Sequence, residues 1–198
     1  MDVYWNHNTA YHPRIVTAAR RLGGTALDIG CGDGLLAARL AEVCEHVVGV
    51  EPDATAMDRA RVRLGHRPGV TLHHGSFPAW PPDGERYDLV TLVATLHHLD
   101  TATALTRARD LLRPGGELFV VGLTRNATAG DWVLSGLALP WVRALGVLHR
   151  ERRDAGLVTA RPQESLAEIR GHADRLLPGA TLRRGLYYRY VLRWTRPR

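Results

Sequence analysis

The sequence has 198 residues, of which 45% are hydrophobic and 23% are charged, a balance that is ordinary for one globular domain with a core of its own. All 26 basic residues are arginines and the formal net charge is +6, so a lysine base and a lysine Schiff base are excluded. The two cysteines are too few for a disulfide framework, no His/Cys cluster indicates a metal site, and no apolar run is long enough to span a bilayer.

The N-terminal arm, residues 1–23, is predicted to be helical. Pro13 suits the first turn of a helix, and apolar residues follow it at helical spacing. The start of the arm has no positively charged region followed by an apolar stretch. The sequence therefore predicts no signal peptide and a cytoplasmic location.

Strands and helices are predicted to alternate behind the arm. Short apolar runs that end in glycine or acidic residues predict buried strands, and apolar residues at helical spacing predict helices. Such alternation indicates an α/β domain in which a parallel sheet carries helices on both faces. The predicted elements are strands over 25–30, 46–51, 70–73, 87–94 and 117–122, and helices over 35–43, 53–64 and 101–112.

The pattern changes after the fifth predicted strand. Residues 126–156 include an apolar helix broken at Pro140, and their place in the chain predicts a lid over the carboxyl ends of the strands, where such sheets bind ligands. An amphipathic pattern predicts a helix over 162–177, and a Pro-Gly pair marks its end. Two strands are predicted over 181–186 and 188–195, the second with aromatic and apolar residues on alternate positions.

The turn after the first strand is the most informative segment. Asp28 lies in the strand, and Gly30, Gly32 and Gly34 form a turn that a ligand can approach closely. Glu51 ends the next strand, roughly 20 residues after the first glycine, where doubly wound nucleotide folds bind ribose hydroxyls. The glycine spacing differs from the dinucleotide fingerprint G-x-G-x-x-G. With Asp28 it resembles the S-adenosylmethionine (SAM) motif of class I methyltransferases.

The resemblance extends beyond this motif. Residues 87–99 resemble the fourth strand of that family and its following loop, and residues 111–121 resemble its L-x-P-G-G turn into the fifth strand. The resemblance, to the small bacterial small-molecule type, implies an α/β fold with a doubly wound, Rossmann-like, seven-stranded and mostly parallel sheet. It also implies one domain over 1–198, with a SAM-binding core over 25–122, a lid over 126–156 and a closing helix and strand pair over 162–198.

The resemblance implies that the chain binds SAM and releases S-adenosylhomocysteine (SAH). Glu51 can accept hydrogen bonds from both ribose hydroxyls. Ser76 and Phe77 stand where the family usually has Asp-Ala, so the serine is a weaker partner for the adenine amino group and Phe77 can pack on the ring. Tyr11 and His12 are predicted to close over SAM, with aromatic packing onto the core as the alternative. The predicted cofactor-binding residues are Tyr11, His12, Asp28, Gly30, Cys31, Gly32, Gly34, Glu51, Pro52, Ser76, Phe77, Ala94 and Thr95.

His97 and His98 follow the fourth strand at the mouth of the expected site and are the predicted catalytic residues. A histidine can take a proton from a hydroxyl, an amine or an acidic carbon. Alternatively, the pair holds the loop by hydrogen bonds, since related small-molecule methyltransferases often carry it without using it as a base. The loop lacks the Asn/Asp-Pro-Pro-aromatic motif of the amino-nucleobase branch, which argues against adenine-N6 methylation.

The predicted reaction is methyl transfer from SAM to an O, N or C nucleophile of a small molecule. Aromatic lid residues such as Trp132 and Trp141 favour a partly apolar acceptor from secondary metabolism, and no metal is expected. The protein is predicted to be a monomer or homodimer without membrane or nucleic-acid partners.

Three alternatives stay open at this point. One is an RNA or protein methyltransferase that uses the basic C-terminus, although scattered arginines more often form a solvated face. Another is a SAM-binding protein that does not methylate. The third, an NAD(P)-dependent oxidoreductase, is disfavoured by the glycine spacing and the missing Tyr-x-x-x-Lys pair. The basic C-terminus contains Arg183, Arg184, Arg189, Arg193, Arg196 and Arg198.

Overall fold

A computed structural model describes residues 4–77, 80, 84–125, 161–185 and 189–198, together with 127, 140, 143, 144, 147 and 148. Most of the predicted lid, including Trp132 and Trp141, lies outside the described residues.

One sheet forms the centre of the described chain, and its seven strands have the order β3-β2-β1-β4-β5-β7-β6. Strands β1 to β5 run parallel, whereas β7 is antiparallel to both β5 and β6. The predicted fold class is confirmed. The strands are β1 Thr25–Ile29, β2 His46–Glu51, β3 Val70–His74, β4 Tyr87–Val93, β5 Leu112–Leu123, β6 Thr181–Arg184 and β7 Arg189–Thr195.

Helices cover both faces of the sheet. Asp53, Asp100 and Ser165 each cap a helix by accepting a hydrogen bond from a backbone N–H of the first turn. The helices are α1 His12–Leu22, α2 Leu35–Leu40, α3 Ala54–Leu64, α4 Thr101–Asp110 and α5 Leu166–Leu176, with 3-10 turns at Thr9–Tyr11 and Leu96–His98. Among the described residues, no helix combines the length and hydrophobicity that crossing a bilayer requires.

The core has two parts, one on each face of the sheet. Ile15 of α1 and Leu36 of α2 pack with Phe119 on one face. On the other face, Leu105 of α4 and Ile169 of α5 pack with the apolar side chains of β4, β5 and β7. The alternation predicted for the last strand is observed, since Tyr190, Leu192 and Trp194 are all buried.

Two helices are at least three residues shorter than predicted. Helix α2 ends at Leu40 because the chain must turn back to β2, and the backbone N–H of Glu45 already bonds to the Gly24 carbonyl, 2.8 Å away. Helix α5 begins at Leu166, four positions after the predicted start, because Ser165 and Glu168 form a reciprocal capping box. Both differences arise at helix ends, where hydrogen-bond partners decide the boundary.

The fold has its topological switch at β1, which lies between β2 and β4. The chain passes from β1 to β2 on one side and crosses from β3 to β4 on the other, so the carboxyl ends of β1 and β4 open a crevice where such sheets bind ligands. The glycine turn and the loop with the two histidines both follow strands that end there.

Candidate active site

The glycine turn owes its shape to positive backbone angles. Gly30 and Gly32 have φ angles of 68° and 56°, in the left-handed region that favours glycine. A side chain at Gly30 would also collide with Thr95 from the loop after β4. The turn and that loop therefore pack directly against each other at the crevice.

Glu51 fixes the turn from the neighbouring strand. Its carboxylate is buried, and its two oxygens accept hydrogen bonds from the backbone N–H groups of Gly32 and Asp53, each at 2.9 Å. A carboxylate can accept about four hydrogen bonds, so these two leave acceptor capacity for a ligand. The predicted ribose-binding residue is therefore rigid and lies beside the glycine turn.

A cleft opens at the glycine turn. Its walls come from the N-terminal arm on one side and from β1, the turn and α2 on the other. Five of the predicted cofactor-binding residues meet there: His12, Asp28, Gly30, Cys31 and Gly32. The other described residues of the lining are Tyr4, Asn6, Asn8, Thr9, Asp33, Leu35, Leu36 and Val93.

Asp28 presents an unusual carboxyl group to this cleft. It is buried, and its Oδ1 accepts a hydrogen bond of 2.7 Å from the Thr91 hydroxyl. Among the described residues, its Oδ2 has no hydrogen-bond partner. Burial, with a smaller contribution from the charge of Glu51, raises the pKa of Asp28 to about 7 against the opposing Thr91 bond. The site is therefore well matched to a cationic ligand group that would pair with this oxygen.

His12 adds a neutral polar group. Burial, and then the positive charge of Arg39, lower the pKa of His12 to about 3, so the imidazole carries no charge near neutral pH. Its Nδ1 is buried and has no hydrogen-bond partner in the described part of the chain. Buried polar atoms usually have partners, so two such atoms at one cleft indicate a ligand that supplies them.

The N-terminal arm is tied to the glycine turn through Asp33. The Tyr4 hydroxyl donates to Asp33 Oδ1 at 3.2 Å, and Arg63 of α3 donates to Asp33 Oδ2 at 2.6 Å and to the Asp33 carbonyl at 2.9 Å. The Arg63 guanidinium carbon also lies 5.9 Å from the centre of the Tyr4 ring. These contacts, named here the arm latch, hold the arm over the turn.

Several predicted cofactor contacts lie elsewhere. The Tyr11 hydroxyl packs against Gly185, between β6 and β7, and Phe77 is buried in the hydrophobic core. Pro52 and Ser76 are exposed, and none of these four is among the residues that line the cleft. Their contacts with SAM stay predictions.

Cys31 lines the cleft as a small buried side chain. Burial and the nearby carboxylates of Asp28 and Glu51 raise the pKa of the Cys31 thiol far above its usual range. A thiol that stays protonated is a poor nucleophile, which agrees with the packing role inferred from the sequence.

The histidine pair lies at the carboxyl end of β4, after a strained residue. Ala94 has a φ angle of 54°, which costs a non-glycine residue of the order of 1 kcal/mol and is typical of functional loops. The rings of His97 and His98 lie 4.2 Å apart between centroids. His98 is exposed, whereas His97 is half-buried.

His97 is neutral near pH 7. Burial, followed by the charges of His98 and Arg189, lowers the pKa of His97 to about 4. Its Nδ1 is buried and has no hydrogen-bond partner among the described residues. A neutral imidazole can receive a proton, although a low pKa makes it a weak base.

The sequence interpretation missed the residues of the arm that shape the cleft. Asn6 Oδ1 accepts hydrogen bonds from the backbone N–H groups of Asn8 and Thr9, both at 2.9 Å, and Thr9 Oγ1 accepts from the Asn6 N–H at 2.8 Å. Asn and Thr three positions apart before a helix are a turn and capping signal that was available in the sequence. No pattern in the sequence indicated a role for Arg63 or Arg189 in these contacts.

A comparison with known sequences yields clear relatives. Residues 26–116 match the model of a family described as a methyltransferase domain. An uncharacterized methyltransferase of Mycobacterium tuberculosis is 39% identical over 203 aligned positions, which span the whole of both chains. A ubiquinone biosynthesis O-methyltransferase of Aromatoleum aromaticum is 35% identical over 113 positions, 54% of this chain and 47% of that one.

Solved structures share the fold at lower identity. The N-methyltransferase NodS of Bradyrhizobium japonicum, in complex with SAH, is 16% identical with a TM-score of 0.66, covering 98% of this chain and 89% of that chain. Magnesium protoporphyrin IX methyltransferase of Synechocystis, with bound SAH, is 19% identical with a TM-score of 0.62, covering 99% of this chain and 90% of that chain.

The described residues contain no group of three or more side chains suited to hold a metal ion.

Proposed function

Because this chain belongs to the class I SAM-dependent methyltransferases, we propose that it methylates an oxygen, nitrogen or carbon nucleophile of a small molecule. The observation that carries the proposal is the cleft between the arm and the glycine turn, where buried Asp28 has an oxygen without a partner and Glu51 lies alongside.

The residues at the cleft fit the chemical groups of SAM. Its ammonium group is complementary to the Asp28 carboxylate, and its ribose hydroxyls are complementary to the remaining acceptor capacity of Glu51. The backbone N–H groups of the glycine turn suit its carboxylate. Together these matches account for two buried acidic side chains around one turn.

The protein's contribution to catalysis follows from the placement of its own groups. Bound SAM supplies a methyl group on a sulfonium, which is already an activated donor. The arm latch excludes water from the cleft, and the loop after β4 positions the acceptor in line with the methyl group. His97, neutral at pH 7, holds or receives the proton that a hydroxyl or amine acceptor loses.

Two lines of support favour a small acceptor. The relative from Aromatoleum and the structural neighbour from Synechocystis are named for reactions on small molecules. The apolar and aromatic residues predicted for the lid suit a partly apolar acceptor, and on that ground we place the reaction in secondary metabolism. The cytoplasmic location and the monomeric or homodimeric state stay predictions.

A macromolecular acceptor is less well supported because part of the basic C-terminus is engaged within the protein. Arg193 forms an ion pair with buried Glu117, and Arg196 donates to the backbone carbonyls of Arg109, Asp110 and Leu112. Two of these arginines therefore stabilise the fold, and they do not form part of a continuous strip for RNA.

Calorimetry tests the cofactor. SAM and SAH are expected to bind, and NAD is expected not to. Glu51→Ala should weaken SAM binding by about 1–3 kcal/mol, because a charged hydrogen-bond acceptor is lost. Glu42→Ala, the same change at an exposed position, serves as the control and should bind SAM normally. Tight binding of NAD without binding of SAM would contradict the proposal.

The transfer itself is tested with methyl-labelled SAM. Wild-type protein is incubated with a library of small hydroxylated, amino and carboxylated compounds, and in parallel with total RNA and with protein. Label in a small molecule is the expected result. Label in RNA or protein alone would move the acceptor to the macromolecular class.

A further inference from the structure

We propose that Glu164 is a positioning residue for the methyl transfer: through Thr101 it fixes the loop that carries His97 and His98. This inference rests on the function proposed above. The loop, residues 94–100, is called the histidine loop here and connects β4 to α4. Glu164 lies just before α5, 63 positions after Thr101 in the sequence. A contact between the two residues therefore joins the histidine loop to the start of another helix.

The start of the histidine loop is held by the sheet and the glycine turn. The Ala94 N–H donates a hydrogen bond of 2.7 Å to the carbonyl of Val121 in β5, and Thr95 packs against Gly30. Within the loop, the His98 N–H donates to the Thr95 carbonyl at 2.9 Å. The first half of the loop is therefore fixed without a contribution from α5.

The end of the histidine loop is held by Glu164. The Thr101 side chain is buried, and its hydroxyl donates a hydrogen bond to Glu164 Oε2. Asp100 already caps α4 by accepting a hydrogen bond of 2.8 Å from the Thr103 N–H, so the helix does not need Glu164 in order to begin. A hydrogen bond to a carboxylate is stronger than one between neutral groups. Glu164 therefore ties the end of the loop firmly to α5.

Glu164 suits this role because its other polar groups are fixed as well. Its carbonyl accepts a hydrogen bond of 2.9 Å from the Arg125 N–H, and its Oε1 lies 3.0 Å from His172 Nε2. Arg175 Nη2 lies 3.0 Å from His172 Nδ1. A guanidinium can only donate, so Nδ1 accepts and Nε2 carries the proton that His172 donates to Glu164. Both carboxylate oxygens therefore have defined partners, and Thr101 meets a rigid acceptor.

The placement of the loop bears directly on the proposed proton acceptor. His97 lies between the two anchored ends, and burial is the main cause that lowers its pKa to about 4. Ala94 has a strained φ angle of 54°, and such strain persists only where surrounding contacts over-determine the conformation. Without the contact at Thr101 the loop should relax and expose His97 to water. A displacement of about 1 Å at a reacting group can cost roughly 100-fold in rate.

Proton NMR titration of His97 tests the inference without an acceptor. In Thr101→Val, which removes the hydroxyl and keeps the shape, the pKa of His97 should rise from about 4 toward its ordinary value of 6.5. Glu164→Ala should act in the same direction. Removing a negative charge would by itself lower that pKa, so a rise reports lost burial. Thr101→Ser keeps the hydroxyl and should titrate like wild-type protein, as should Thr106→Val, the same change further along α4.

Turnover and cofactor binding separate the inference from the proposed function. With a small molecule that accepts label from SAM, Thr101→Val should lose roughly tenfold or more in kcat while its affinity for SAH changes little. In the His97→Ala background the same change should have little further effect, because Glu164 acts through His97. An unchanged His97 titration in Thr101→Val or Glu164→Ala, or an equal loss of kcat in the His97→Ala background, would contradict the inference. If SAH does not bind to wild-type protein, the proposed function itself fails.

Discussion

At the scale of single residues, two buried carboxyl groups flank one glycine turn in different surroundings. Glu51 accepts two backbone hydrogen bonds, whereas Asp28 accepts one from Thr91 and has an oxygen that no described residue meets. Glu51 therefore contributes to the structure of the turn as well as to the proposed site. Burying the charged Asp28 side chain costs free energy of folding in the ligand-free protein. A cationic ligand that pairs with Asp28 would offset that cost.

We predict that Asp28→Asn stabilises the ligand-free protein at about pH 8 and weakens SAH binding. The pKa of Asp28 is about 7 in the folded protein against 3.8 ordinarily, so folding favours the protonated form. The free energy of unfolding therefore falls as the pH rises from about 4 to 7, and it stays at the lower value above. Asparagine keeps an oxygen for Thr91 and carries no charge.

Thermal denaturation with and without SAH measures both effects. The gain in melting temperature should be larger at about pH 8 than at about pH 5.5, where Asp28 is mostly protonated. The extra stabilisation by SAH should shrink in the variant. Asp58→Asn, at an exposed position, is the control. A variant that is less stable than wild-type protein at the higher pH would contradict the buried, unpartnered carboxylate.

Turnover should depend on His97 if this residue receives the proton. His97→Ala is expected to lose roughly 100-fold or more in turnover while SAM affinity changes little. Because the pKa of His97 is about 4 in the free protein, protonation of His97 should not cause a loss of activity with a midpoint near pH 6.5. His98→Ala provides the comparison at the exposed neighbour. Unchanged turnover in both variants would leave positioning as the main catalytic device.

At the scale of elements, the closing strand pair depends on one close approach. The ring of Tyr190 in β7 lies over Gly122 of β5, and a side chain at Gly122 would collide with it. Tyr190 is itself buried and has little room to move. The pairing of β7 with β5 is therefore sensitive to any side chain added at Gly122.

We predict that Gly122→Ala lowers the free energy of unfolding by about 1–3 kcal/mol, the usual cost of overpacking. Gly171→Ala is the matched control, because Gly171 lies inside α5 with open space around it. It should raise the free energy of unfolding by roughly 0.5–1 kcal/mol through helix propensity. Urea denaturation measures both variants. Equal effects of the two changes would argue against the close packing of Tyr190.

At the scale of the whole molecule, the ends of the chain meet at the site. The arm contributes Tyr4, Asn8 and His12 to the cleft, and Arg189 of the last strand donates a hydrogen bond to Asn8. The arm latch and the bond from Asn8 to Arg189 join the arm to both halves of the sheet. Because residues from both ends of the chain take part, closure of the site depends on the whole fold.

Hydrogen exchange tests the closure. SAH should increase protection in residues 1–20 and 126–150 as well as in the glycine turn, because both segments are predicted to cover the ligand. Tyr4→Phe, which removes the hydroxyl that bonds to Asp33, should speed exchange in the arm without SAH. Tyr87→Phe, remote from the arm, is the control. Protection confined to the glycine turn would mean an open pocket and favour a macromolecular acceptor.

The sequence alone determined the order of the strands in the chain, the glycine turn and the two acidic residues beside it. These features are local: periodicity reports which face of an element is buried, and glycines report where a turn needs unusual backbone angles. Chain order then placed Asp28, Glu51 and the histidine pair at one edge, because parallel strands end on the same side.

Only the tertiary structure decided which side chains meet across long separations. It placed Phe77 in the core and the Tyr11 hydroxyl against Gly185, although both residues stand at positions that predicted cofactor contacts. It also brought Asn8 to Arg189. Such contacts depend on strand register and on the packing of the arm, and neither is encoded in a local pattern of residues.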